Sequence, residues 1–155
     1  MKIAMITTSE ELWLLREVGL PIKTPLEAII LASIVEKETG LVEERRRVAS
    51  VFINRLRLGM RLQSDPTVIY GLTNGTRRLG RPLKRKDLKS PNSYNTYLNK
   101  GLPPGPIANP GRASIKAVLN PVKSTDLYFV ADGKGDHAFS KTLREHNKNV
   151  SILRR

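Results

Sequence analysis

The sequence contains no cysteine. That excludes disulfide bridges and every thiolate metal site, and it is compatible with either the cytoplasm or the periplasm. Histidine is almost as scarce. His137 and His146 are the only two, and lying nine positions apart they make a poor ligand cluster, so neither a metal nor any other cofactor is expected. No apolar run reaches the length of about 18 residues that a spanning helix needs. The opening Met1-Lys2-Ile3-Ala4-Met5-Ile6 is also too short for a signal-peptide core. The phosphate-cradling GxGxxG and GxxxxGK[ST] loops are missing, and there is neither an internal repeat nor a low-complexity tract.

Acidic residues are in short supply too. The 155-residue chain has 14 Asp and Glu against 27 Lys and Arg, a formal net charge of +13. Such a field favours an anionic partner: nucleic acid, an anionic membrane surface or the acid-bearing bacterial wall. Charged residues of both signs make up 26% and hydrophobic ones 39%, a globular balance and not a disordered one. The length suits one domain with a real core.

Breakers and periodicity divide the chain. Residues 1–23 read as a lead-in, with a short helix over Glu10–Val18 stopped by Gly19 and Pro21. Thr24-Pro25-Leu26-Glu27 reads as a helix start, with Thr24 as cap, Pro25 in the first turn and Glu27 completing a capping box. That helix runs to about Thr39, where Gly40 ends it. A second helix spans about Val42–Leu58 and closes at Gly59. Asp65-Pro66 reads as the cap and first turn of a short helix. Thr73–Ser90 is a basic, turn-rich excursion. Tyr94–Tyr97 reads as short and extended, and the proline-rich 101–106 as a loop. A helix over about Arg112–Leu119, a hairpin of Leu127–Ala131 with His137–Phe139, and a terminal helix over Thr142–Leu153 complete an α+β domain, mostly helical, with a small antiparallel sheet.

The first long helix carries the chemistry. Ile29, Ile30, Leu31, Ile34 and Val35, with Ala28 and Ala32, leave it almost no polar face, so it belongs inside the protein. Its last turn nevertheless carries Glu36 and Glu38. Projected at about 100° per residue, Glu36 stacks over Ile29, Ala32 and Ser33. Desolvation there would raise its pKa and allow it to act as a general acid. Glu38, about 200° further round, points elsewhere, which suits a reaction run by one carboxylate. The competing reading is structural: either glutamate pairs with arginines of the second helix and pins the two together. Tyr94, Asn95, Thr96 and Tyr97 bring together hydroxyls, amides and two rings, a mixture that sugar sites use and that ordinary strands also have. Gln63 and Asp65 lie before the third helix, where Asp65 reads as a cap, and Asn54 near the end of the second reads as a surface amide; supporting or substrate-binding roles are the alternative for all three. His137 and Phe139 on a strand read as structural.

Several blocks together resemble one known family. Ile30-Leu31-Ala32-Ser33-Ile34-Val35-Glu36-Lys37-Glu38-Thr39 is similar to the signature helix of the YceG-like (MltG) family of endolytic murein transglycosylases. Val48–Leu56, Met60–Gly71, Tyr94–Tyr97, Gly101–Gly111 and Leu127–Gly133 follow in family order, so the resemblance covers about residues 20–150. It implies a catalytic domain over 24–155, without the membrane anchor and LysM-like domain that usually precede it. It implies cleavage of the β-1,4 bond between N-acetylmuramic acid and N-acetylglucosamine in peptidoglycan glycan strands, leaving 1,6-anhydro ends. The family's acid/base glutamate is matched to Glu36. Glu38 supports the helix end, while Gln63, Tyr94, Asn95 and Tyr97 are candidate substrate contacts. The resemblance also implies wall-synthesis proteins as partners, no nucleic acid, and a full-length protein held on the periplasmic side of the inner membrane, this fragment being soluble by itself. Two alternatives stand beside it: a basic nucleic-acid-binding module and a peptidoglycan-binding domain without catalysis.

Overall fold

The computed structural model describes residues 10–153; the expectations placed on residues 1–9 lie outside them. Six helices and one hairpin follow in order: α1 Pro25–Glu38, α2 Val42–Leu58, α3 Asp65–Thr73, α4 Arg85–Leu88, α5 Arg112–Leu119, β1 Tyr128–Ala131, β2 His137–Ser140 and α6 Leu143–Leu153. A short helical segment over 10–14 precedes them. The strands pair antiparallel, Tyr128 opposite Ser140 and Ala131 opposite His137. This is the mostly helical α+β domain with a small antiparallel sheet that the sequence predicts.

α1 is the axis of the core. Every residue from Ala28 to Val35 is buried, because α2, α5 and α3 all pack against it. Its one buried hydroxyl is satisfied twice: Ser33 Oγ donates to Ile30 O at 2.6 Å and accepts from Ile107 N at 3.0 Å. Ile107 thereby fastens the proline-rich loop to α1. Phe52, Ile53, Ile115, Val118 and Leu119 complete the packing, and Leu12 and Ile22, ahead of α1, join the same cluster.

The ends of α1 decide where its carboxylates lie. Thr24 Oγ1 accepts from Glu27 N at 3.1 Å. The return bond of Glu27 reaches one residue beyond the box expected from the sequence, to Lys23 N at 2.9 Å. At the other end Gly40 does not supply a left-handed cap. The helix stops because Thr39 turns extended, at φ −144°, and its Oγ1 accepts from Leu41 N at 3.1 Å. Glu38 is therefore the last helical residue.

Two further expectations are corrected. Ser64, not Asp65, is the N-cap of α3, and it makes no side-chain cap bond. Tyr94–Tyr97 forms turns instead of an extended segment, because Asn95 folds inward: its Nδ2 donates to Leu88 O and Ser90 O and its Oδ1 accepts from Tyr97 N. The basic excursion is ordered by one ion pair. Both oxygens of Asp87 accept from the Arg81 guanidinium, at 2.7 and 3.0 Å, and Asp87 also takes the Lys84 N–H. Those bonds hold the Asp87 carboxyl well below the usual carboxylate range. Among the described residues no helix is long and apolar enough to cross a membrane.

Candidate active site

An open cavity of about 520 Å³ lies between the C-terminal end of α1, the segment entering α3, the hairpin and α6. Gln63, Asp65 and Tyr97 line one side and Glu38 and Arg55 face it; Tyr128 and His137 come from the hairpin, and His146 and Asn147 from α6.

Glu38 meets the conditions for a proton donor. Its Oε1 accepts from Ser64 Oγ at 2.7 Å, which fixes the carboxyl. Burial, reinforced by the nearby charge of Asp65, outweighs that hydrogen bond and the opposing influence of His137 and the Arg55 guanidinium, pushing the group up to about 7. Desolvation penalises the charged form, and here it dominates. A carboxyl with that midpoint holds a proton to give and can also take one back near neutral pH.

Asp65 is engaged by a phenol instead: its Oδ1 accepts from Tyr97 Oη at 2.5 Å. Burial first, and then that bond, push the Tyr97 phenol above its usual range, so it stays neutral and remains a donor. Gln63 reaches the cavity in the left-handed region, at φ 50°. For a residue with a Cβ this costs on the order of 1 kcal/mol, and such strain tends to gather at functional sites.

Arg55 forms the floor. The residue is 7% exposed, yet backbone carbonyls hold its guanidinium: Nε donates to Leu127 O at 2.7 Å, Nη1 to Leu62 O at 2.8 Å and to Arg61 O at 3.3 Å. Its Cζ lies 5.1 Å from the Tyr128 ring centroid. The charge is desolvated and not consumed by a salt bridge, so it acts on the cavity. Beside it, Glu44 takes both the backbone N–H of His137 and its Nδ1, tying the hairpin to α2.

Glu36 lies elsewhere. Its Oε1 accepts from Gly111 N at 2.8 Å, and its Oε2 from Ser114 Oγ at 3.1 Å and Arg45 Nη2 at 3.0 Å. It sits on the N-terminus of α5 and joins three helices, the structural role that the sequence analysis held open for either glutamate. The wheel placed Glu36 over Ile29 and Ala32 correctly but carries no information about what covers that face. The desolvated carboxyl expected at Glu36 is found two residues later.

Three other candidates lie outside the lining of this cavity. Asn54 is absent from the cavity lining; its Nδ2 donates to Ser124 O and Asp126 O, each at 2.9 Å. Asn95 is 1% exposed and spent on turn bonds. Tyr94 packs its ring on Tyr70, centroids 4.6 Å apart, away from the cavity. Asn54→Ala is expected to lower stability by about 1–3 kcal/mol, because two carbonyls lose their donor; thermal unfolding would register it. Arg55, Tyr128, His146 and Asn147 also line the cavity, and no motif in the sequence marks them. Arg55 was the one most open to detection, as the only charged residue amid the apolar positions Phe52, Ile53 and Leu56. Among the described residues no group of histidine and acid side chains is placed to hold a metal ion.

One carboxyl with a raised pKa, fixed beside a desolvated cation in an open polar cleft, is the arrangement that general acid/base chemistry calls for. The chain carrying it belongs to the YceG-like family, whose model matches residues 2–152. It is 47% identical over 120 residues to an endolytic murein transglycosylase of Bacillus subtilis, a match covering 77% of this chain and 32% of that protein. It is 36% identical over 131 residues to a protein of the same name from Streptococcus pneumoniae, covering 81% and 23%. A crystal structure of a yceG-like protein from Listeria monocytogenes superposes with a TM-score of 0.74 at 49% identity, covering 80% of this chain and 39% of that one. The chain thus spans a third or less of the length of these curated relatives.

Proposed function

We propose that this chain is the glycan-cleaving part of an endolytic murein transglycosylase, with Glu38 as the acid and then the base. The observation that carries the reading is the raised Glu38 carboxyl in the cavity, joined to the name borne by the relatives. Protonated Glu38 gives its proton to the glycosidic oxygen that leaves with N-acetylglucosamine, as the bond from that oxygen to C1 of N-acetylmuramic acid breaks. The muramic 6-hydroxyl oxygen then bonds to C1, and its proton passes to the Glu38 carboxylate. No water is consumed and the acid is regenerated. This differs from the hydrolytic scheme, in which a second carboxylate activates water or attacks the sugar. In this cavity the second carboxylate, Asp65, is occupied by Tyr97. The residue carried over from the resemblance, Glu36, becomes a helix tie in this reading. Placement on the periplasmic face of a membrane, the neighbouring domains and any wall-synthesis partners belong to the longer protein and are proposed with it.

Mass spectrometry of glycan strands incubated with the chain tests the reaction. New internal ends in the 1,6-anhydro form support it; ends one water heavier would mean hydrolysis and overturn the single-carboxylate scheme. Glu36→Ala separates the two glutamates. It is expected to cost about 2 kcal/mol through the lost Gly111, Ser114 and Arg45 contacts, while the rate per folded molecule stays within about tenfold of the parent. A loss as deep as that of a Glu38 variant, in protein shown to be folded, would return the acid/base role to Glu36.

A further inference from the structure

α6 has no buried residue, and among the described elements it packs only on β1 and β2. A surface helix ordinarily turns its apolar stripe to a core. Here Leu143, His146 and Asn147, spaced i, i+3 and i+4 and so on one face, line the cavity that holds Glu38. Leu143 stays 55% exposed there, and Asn147 is exposed as well. The His146 ring stacks on Tyr128, centroids 5.1 Å apart and planes 23° from parallel, which fixes the stripe relative to the hairpin. The stripe therefore shares one open cavity with Glu38, with an apolar side chain, an imidazole and a carboxamide side by side.

We infer that this stripe is a saccharide subsite that reads the 2-acetamido group of the sugar next to the cleaved bond. This rests on the glycan-cleaving reading above. An acetamido group has an apolar methyl beside an amide N–H and C=O. Leu143 matches the methyl, and the Asn147 carboxamide offers both a donor and an acceptor to the amide. A plain hexose has none of the three acetamido features, so the stripe discriminates by what it would leave uncovered and unpaired.

The test is calorimetric titration of the full chain carrying Glu38→Gln, which removes the proposed chemistry, with chitotetraose and with cellotetraose, its counterpart bearing hydroxyls in place of acetamido groups. The parent is expected to bind chitotetraose more tightly. Asn147→Ala and Leu143→Ala, both at exposed positions, should each weaken chitotetraose by about tenfold, equivalent to about 1.4 kcal/mol, and leave cellotetraose unchanged. The subsite is overturned if the parent does not bind chitotetraose, if neither variant weakens it, or if cellotetraose loses affinity by the same factor. Failure of the reaction reading shows separately, as an absence of anhydro ends from the chain with Glu38 intact, whatever the titrations give.

Discussion

Glu38→Gln is expected to abolish the formation of anhydro ends and, above neutral pH, to make the protein more stable. One carboxyl serves both proton transfers in the proposed cycle, so removing it forfeits general acid and general base assistance together, about 10⁴-fold in rate or more. Stability moves the other way for an electrostatic reason. Desolvation pushes folded Glu38 up to about 7 from its ordinary value of 4.5, so between those values the folded chain holds a proton that the unfolded chain has released. Glu38 therefore costs nothing below the lower value. The cost grows as pH rises through the window and is complete above the upper one, where a charge must be kept in a desolvated site. At its largest the penalty is about 3 kcal/mol, from about 1.4 kcal/mol per pKa unit. Gln keeps an acceptor for Ser64 and carries no charge. Denaturant titrations of both proteins at pH 4 and pH 8 should thus diverge only at the higher pH. Equal stability at both would mean that Glu38 is not desolvated as the cavity geometry requires. The wild-type rate should fall as pH rises through about 7, because the proton-giving form is lost.

Arg55→Ala should be the most destabilising single change near the cavity. The guanidinium is the donor for the carbonyls of Leu127, Arg61 and Leu62, which belong to the chain entering β1 and to the segment entering α3. Alanine leaves these acceptors without their donor and opens a hole beneath Tyr128. A loss of about 3–5 kcal/mol follows from the charged bonds and the missing packing, and a chain of this size should melt roughly 10 °C lower. Lysine is expected to rescue little of it, since one ammonium on a flexible stem cannot reproduce a planar fork that spans carbonyls on two segments. Thermal unfolding of Arg55→Ala and Arg55→Lys checks both statements; near-complete recovery by lysine would show that charge alone matters at this position.

Much of the fold was legible because its signals are local. Thr24, Pro25 and Glu27 start α1 through bonds within one turn, Gly59 ends α2 in the left-handed region at φ 69°, and the Asp132–Asp136 turn separates two short strands. The basic excursion and Tyr94–Tyr97 were less legible. Their shape depends on Arg81 meeting Asp87 and on Asn95 turning inward, and neither meeting has a periodic signature.

The sequence by itself determined that the chain is a single, mostly helical basic domain, that α1 is buried, and that its last turn carries two carboxylates. Those features follow from composition, capping and an apolar pattern of period 3.6, all readable along the chain. Only the tertiary structure decided what surrounds each carboxylate. α5 brings Gly111 and Ser114, and α2 brings Arg45, to Glu36, which ties it to two other helices; the α3 entry, the hairpin and α6 wall in Glu38, which withdraws water from it. A pKa depends on everything that packs around a group from distant parts of the chain, and a helical wheel records only the group's own neighbours on one helix.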